Sequence, residues 1–189
     1  MRLDDKLREE YQILFAKCVV KEELKVQINK KILSFKDHYK DYADIGLATG
    51  VPWWFIALLH MMESNNDFTK HLHNGDSLKA RTVQIPPGRP VEGNPPFTFE
   101  ESAIDALEYE KLDQWEEWTI PGILFQIESY NGFGYRRWHP EVKSPYLWSG
   151  TNHYTKGKYV ADGKFYPDAV SKQVGVACFL KAMEEQGIL

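Results

Sequence analysis

Cysteine is scarce in this sequence: of 189 residues only 2 are Cys, at positions 18 and 178, near opposite ends of the chain. Neither belongs to a Cys-x-x-Cys pair, which argues against a redox motif or a zinc knuckle. Cys18 and Cys178 can pair if the terminal helices pack together; the expectation is two buried apolar thiols. Long hydrophobic runs are missing as well. The longest, Val51 to Met62, is too short to span a bilayer and contains Pro52 and His60. The first twelve residues, MRLDDKLREEYQ, lack the apolar centre of a signal peptide. The chain therefore reads as soluble, made in the cytoplasm and not inserted in a membrane. Neither charge dominates, with 23 Lys+Arg against 27 Asp+Glu and a formal charge of −4. That mild acidity removes the electrostatic warrant for a dedicated nucleic-acid binder. Internal repeats and low-complexity linkers are also lacking.

What the sequence does have is an ordinary globular balance, 43% hydrophobic and 26% charged, which excludes a disordered or fibrous chain. Its length suits one domain burying roughly two thirds of its unfolded surface. Aromatics reach 14%. Such an excess fits either a protein that stacks a ring-shaped ligand or a rich core.

The periodicity predicts a mainly α chain in three stretches: N-terminal helices over 1–50, a motif-bearing core over 51–135, and aromatic loops with a C-terminal helix over 136–189. Leu7, Tyr11, Leu14 and Cys18, then Leu24, Ile28, Ile32 and Phe35, recur at intervals of three and four, so 3–35 reads as helix. A short helix over 38–49 closes at Gly50. Pro52 opens a third helix, PWWFIALLHMME, apolar nearly all round and so expected to be buried on several sides. Residues 64–97 are polar and rich in Asn, Gly and Pro, which suggests a small hairpin or irregular lobe with a strand at Thr82-Val83-Gln84-Ile85. Thr98 and Glu101 form a capping box for a helix to about Lys111. A further helix starts at Thr119 or Pro121 and stops at Asn131-Gly132. The stretch 132–167 reads as loops with a short hairpin at Asp162-Gly163, and Asp168 caps a last helix through Gln186.

Glu63 ends the apolar helix. A carboxyl there is partly desolvated and lies at the negative end of the helix dipole; both effects raise its pKa, as a glycosidase general acid requires. The alternative is a Glu that begins the polar loop and points into water. Asp76, in the Asn74-Gly75-Asp76 turn, is placed to fold back over that helix end as a second carboxylate, or is simply a turn aspartate. Glu128 is a further carboxylate that can partner Glu63. Thr82 and Gln84 alternate with Val83 and Ile85, fitting either a groove-lining strand or a plain surface strand. Asn131 offers donors and an acceptor to a sugar amide or hydroxyl, or caps its helix, or does both. Tyr146, Trp148 and Tyr154 form an aromatic cluster that either stacks on sugar faces or fills a satellite core. His71-Leu72-His73 sets two imidazoles on one face of a strand, and His60 lies nearby in sequence. With no third ligand at a usual spacing, no metal or other cofactor is expected.

Together, Glu63-Ser64, the Arg81-Thr82-Val83-Gln84-Ile85 segment and Ser129-Tyr130-Asn131-Gly132 resemble, in order and spacing, three motifs of the lysozyme-like superfamily. The closest likeness is to soluble lytic transglycosylases and goose-type lysozymes, with Arg81 and Val83 standing where that family has Gly and Met. The resemblance implies a lysozyme-like α+β fold with Glu63 as catalytic acid. Ser64, Thr82, Gln84, Tyr130 and Asn131 would then lie on the substrate, joined by Tyr146 and Trp148 from the aromatic loops. It implies a muramidase cleaving the β-1,4 bond between N-acetylmuramic acid and N-acetylglucosamine, Asp76 assisting, or a lytic transglycosylase that forms an anhydro sugar with Glu63 alone. The implied partner is peptidoglycan or a related N-acetylated glycan such as chitin, met by a monomer after release or delivery, as by a phage endolysin. Two other classes stay open: a non-catalytic glycan-binding or immunity-type module, and a helical interaction domain presenting residues 3–35.

Overall fold

The computed structural model describes residues 1–161 and 163–189, so Asp162 of the expected Asp162-Gly163 turn lies outside the described residues. Among the described residues the fold is mainly α with one small antiparallel sheet. Its residues divide into two compact units, one formed by 1–33 and 117–189 and the other by 34–116.

In the first unit, helix α1 (Asp5–Ala16) starts where the Asp4 carboxylate accepts the Leu7 amide at 2.8 Å. Leu7, Tyr11 and Phe15, four apart, form its buried stripe. The helix expected to continue to residue 35 is instead broken. After Ala16 the chain extends so that Val20 bridges Thr151, takes a 3₁₀ turn at Glu22–Leu24, and only then forms α2 (Lys25–Asp37). The apolar period lapses there, stepping six residues from Cys18 to Leu24, and the extended chain meets a pairing partner 131 residues away. Helix α6 (Ile120–Asn131) begins at Thr119, whose hydroxyl accepts the Gly122 amide, and packs on α1. Gly122 is required by contact: a Cβ there would lie 2.0 Å from the Glu117 carbonyl oxygen. Two short helices, α7 (Gly134–Trp138) and α8 (Pro145–Trp148), precede strands β1 (Lys158–Ala161) and β2 (Lys164–Tyr166). The strands pair with Lys158 opposite Tyr166 and Tyr159 opposite Phe165. The last helix, α9 (Val176–Glu185), starts at Gly175 rather than at Asp168, whose carboxylate instead takes an ion pair from Lys156 at 2.6 Å. Cys18 and Cys178 are buried free thiols in this unit, and burial pushes the Cys178 thiol up to about 12.

The second unit is built around α4 (Trp53–Ser64), with α3 (Tyr39–Thr49) packed on it. Gly50, at φ 76°, ends α3, and Pro52 stands at the N-cap of α4, one position before its expected place in the first turn. Every side chain from Trp54 to Met62 is buried. Each large one contributes about 1.5–3 kcal/mol, an upper figure for a denatured state that is itself partly compact. Helix α5 (Phe99–Tyr109) carries the expected capping box, Thr98 with Glu101, and packs on α3. Between α4 and α5 no hairpin forms: among the described residues 65–97 hold only an isolated bridge, Lys70 to Ser77. No single helix among the described residues is long and apolar enough to cross a membrane.

Candidate active site

The C-terminal end of α4 carries the sharpest arrangement in the second unit. Asn65 and Asn66 both take left-handed φ, 58° and 62°, so the chain turns sharply away just past the half-buried Glu63. Asn66 fixes this exit by donating from Nδ2 to the Ala57 carbonyl and to the Tyr42 hydroxyl, both at 3.0 Å. The Tyr42 hydroxyl in turn bonds His60 Nδ1 at 2.9 Å, so the helix end is held on the inner side by a buried polar chain.

The Asn74-Gly75-Asp76 turn folds back onto this end. Gly75 has φ 79°, and a Cβ there would stand 2.9 Å from the Glu63 carbonyl oxygen, so glycine is needed for both conformation and approach. Asp76 is set by Asn74, whose Oδ1 accepts the Asp76 amide at 3.0 Å. Its carboxylate then reaches the next segment. Oδ2 accepts the Val83 and Gln84 amides at 2.8 and 3.0 Å, and Oδ1 accepts Gln84 Nε2 at 3.0 Å. Burial raises the Asp76 pKa, but these bonds outweigh it and hold the carboxyl below its ordinary value. The Glu63 end of the helix, Asp76 and Gln84 are thus brought together in one corner.

Residues 82–89 form a closed loop rather than the expected strand. The Thr82 amide donates to the Arg89 carbonyl and the Gly88 amide to the Thr82 carbonyl, each at 2.8 Å. Thr82 is buried; its hydroxyl donates to the Pro86 carbonyl at 2.5 Å and accepts the Arg89 amide at 2.9 Å. It staples the loop and does not face a ligand. Ser64 is corrected in the same way: its buried hydroxyl donates to the His60 carbonyl within α4. Gln84 remains exposed at the loop tip, flanked by Val83 and Ile85, which are 81% and 82% exposed.

Beneath the loop lies a group that the sequence reading missed. Asp105 on α5 receives Arg89 through Nε at 2.8 Å and Nη2 at 2.7 Å, and His73 Nε2 at 2.7 Å. Burial depresses the His73 pKa to about 4 despite Asp105, so at neutral pH the ring is uncharged and donates from Nε2. His71 bonds Ser102 Oγ and the Ala80 carbonyl, both at 2.8 Å. The two imidazoles therefore sit in a coil, buried against α5, and not on one face of a strand. A signal was present: Ser102 and Asp105, three apart, put polar groups on the helix face next to Ala106.

In the first unit, Asn131 is exposed at the end of α6, and Gly132 caps that helix at φ 85°. Asn131 and the half-buried Tyr146 line a groove of about 520 Å³. Tyr130 is half-buried one residue earlier. Trp148, at 1% exposure, and Tyr154, at 4%, are core residues. The Tyr154 hydroxyl is occupied by the Gly157 carbonyl and the Ser171 amide, so neither ring offers a face to a sugar. Glu128 is likewise internal. It is 2% exposed, accepts the Tyr11 hydroxyl at 2.5 Å and Arg136 Nε at 2.8 Å, and is no second catalytic carboxylate.

Comparison with protein-family models, with curated proteins and with solved structures finds no match to this chain.

Proposed function

We propose that the chain is a lysozyme-like peptidoglycan hydrolase of the muramidase type, with Glu63 as general acid. The observation that carries this reading is the corner at the end of α4. There the half-buried Glu63 side chain closes a helix buried on nearly all sides, and a turn bearing the ionised Asp76 is seated against its carbonyl. A mainly helical fold with one small hairpin suits the same reading. In the reaction Glu63 gives its proton to the glycosidic oxygen between N-acetylmuramic acid and N-acetylglucosamine as the bond to C1 breaks. Positive charge gathers on the ring, and Asp76 steadies it or orients the attacking water. Gln84, exposed and tethered to Asp76, holds an N-acetyl or hydroxyl group.

One observation favours a second reading. The Val83 amide, the Gln84 amide and the Gln84 side chain all donate to Asp76, so Asp76 serves equally as the anchor of the Gln84 loop. Glu63 then acts alone: after giving its proton to the leaving oxygen it takes the proton of the substrate's own 6-hydroxyl as that oxygen bonds C1, and a lytic transglycosylase results. Mass spectrometry of peptidoglycan digested by the wild type and by Asp76→Asn separates the two. Muropeptides with reducing ends that vanish in the variant support the hydrolase. Anhydro-muropeptides from both proteins support the transglycosylase, and no soluble product from the wild type overturns both.

A further inference from the structure

Part of the groove in the first unit is built by residues outside the three motifs. Its rim carries Trp138, at 73% exposure the most exposed aromatic ring among the described residues. At the edge of a groove, an exposed indole offers a flat apolar face on which a ligand can stack. The wall beside it is rigid. Tyr135 on α7 meets Tyr159 of β1 edge to face at 5.1 Å, and its hydroxyl accepts the Tyr159 amide at 3.1 Å. His139 stacks on Phe165 of β2 at 3.5 Å. Hairpin and helix are thereby locked together, and the groove surface is formed before any ligand arrives.

The lining chemistry is mixed. Tyr159 and Trp138 present ring surface, while Asn131, Gln173, Ser171 and Lys158 present amide, hydroxyl and ammonium groups. The volume, about 520 Å³, lies within the roughly 300–1,000 Å³ of small-ligand sites. Flat apolar faces interleaved with polar donors and acceptors match a pyranose, whose two faces carry C–H groups and whose edge carries hydroxyl and acetamido groups. We infer that the α7–β1 groove is a glycan-binding site in which Trp138 stacks on a sugar ring of an N-acetylated glycan and Gln173 and Lys158 bond its edge. The inference rests on the proposed function for the class of glycan, yet its test does not depend on cleavage.

The experiment uses the full chain carrying Glu63→Gln, with an N-acetylglucosamine tetramer followed by tryptophan fluorescence and with sedimentable peptidoglycan as a second probe. Saturable binding is expected, weakened about tenfold by Trp138→Ala, equivalent to about 1.4 kcal/mol, and largely kept by Trp138→Phe. Because the ring is exposed, both variants should fold, and matching thermal transitions check this. Binding that neither substitution changes, or no binding of either probe, overturns the inference. The two proposals fail separately: cleavage by the wild type with binding indifferent to Trp138 defeats only the groove. Binding through Trp138 without cleavage by the wild type defeats only the hydrolase.

Discussion

Two carboxylates of this chain sit in contrasting surroundings. Glu128 is enclosed in the first unit, its charge met by Arg136, which also reaches Glu10 at 2.9 Å and lies 4.8 Å over the Tyr11 ring. Asp76 in the second unit is ionised with no cation bonded to its oxygens among the described residues; backbone amides and the side chains of Gln84 and Asn74 hold it in place. The first arrangement ties α1 to α6 and α7 and leaves its carboxylate no freedom to meet a ligand. The second fixes a loop while keeping an anion near solvent. An acid in a sequence motif is therefore assigned by what neutralises it: a buried guanidinium marks a structural role, and amide donors at a surface turn permit chemistry.

The contrast breaks most visibly at Arg136. Truncation to Ala strands Glu128 as a buried, unpaired charge and should lower stability by about 3–5 kcal/mol, read from urea midpoints. Adding Glu128→Gln should recover part of the loss, because the neutral amide still accepts from Tyr11. A single substitution as mild as a surface change would contradict the structural role.

Acid should act differently on a residue of each unit. His73 binds its proton near pH 6.5 when unfolded but only near 4 in the fold, so between these values the unfolded chain holds more protons and stability falls as pH drops. The slope is roughly 1.4 kcal/mol per pH unit at most, and His73→Gln should flatten it. In the first unit burial raises the Glu10 pKa, but Arg136 and Lys143 outweigh it and hold it below 4.5; its contribution is present above 4.5 and fades as pH falls through the lowered value. Urea melts from pH 7 to 5 should thus respond to His73→Gln and hardly to Glu10→Gln.

The smallest change is expected at the loop. Asp76→Asn keeps one acceptor oxygen and loses at least one of three bonds, costing about 0.5–1.5 kcal/mol. Hydrogen exchange at the Val83 and Gln84 amides should speed up while the amides of α4 stay protected. Unchanged exchange at Val83 and Gln84 would remove Asp76 as the anchor of Gln84.

Sequence alone located the parts whose signals are local. Gly50 ending α3, the Thr98–Glu101 box and Thr119 opening α6 all act within one helical turn, and the structure has them as expected. Failures came where a distant partner decides. The break after Ala16 follows the Val20–Thr151 bridge, and the expected strand at Thr82 closed on Arg89 instead. Thr82, Val83, Gln84 and Ile85 alternate as a strand would, but Val83 and Ile85 face water and cover no core. For the candidate site, the fold-back of Asp76 over the helix end was legible because Asn-Gly-Asp is a turn at a short distance. Trp148 was not: an aromatic in a glycine-rich stretch reads the same whether its cover comes from a ligand or from His153, which meets it edge to face at 5.2 Å. The Arg89–Asp105–His73 group joins three separated segments and offered only the polar face of α5 as a hint.

The central claim is that Glu63 transfers a proton to a glycosidic oxygen, and the release of soluble muropeptides by Glu63→Gln tests it most directly. The account predicts a loss of about 10²–10⁴-fold in a variant that remains folded. Release by the folded variant at the wild-type rate would contradict it.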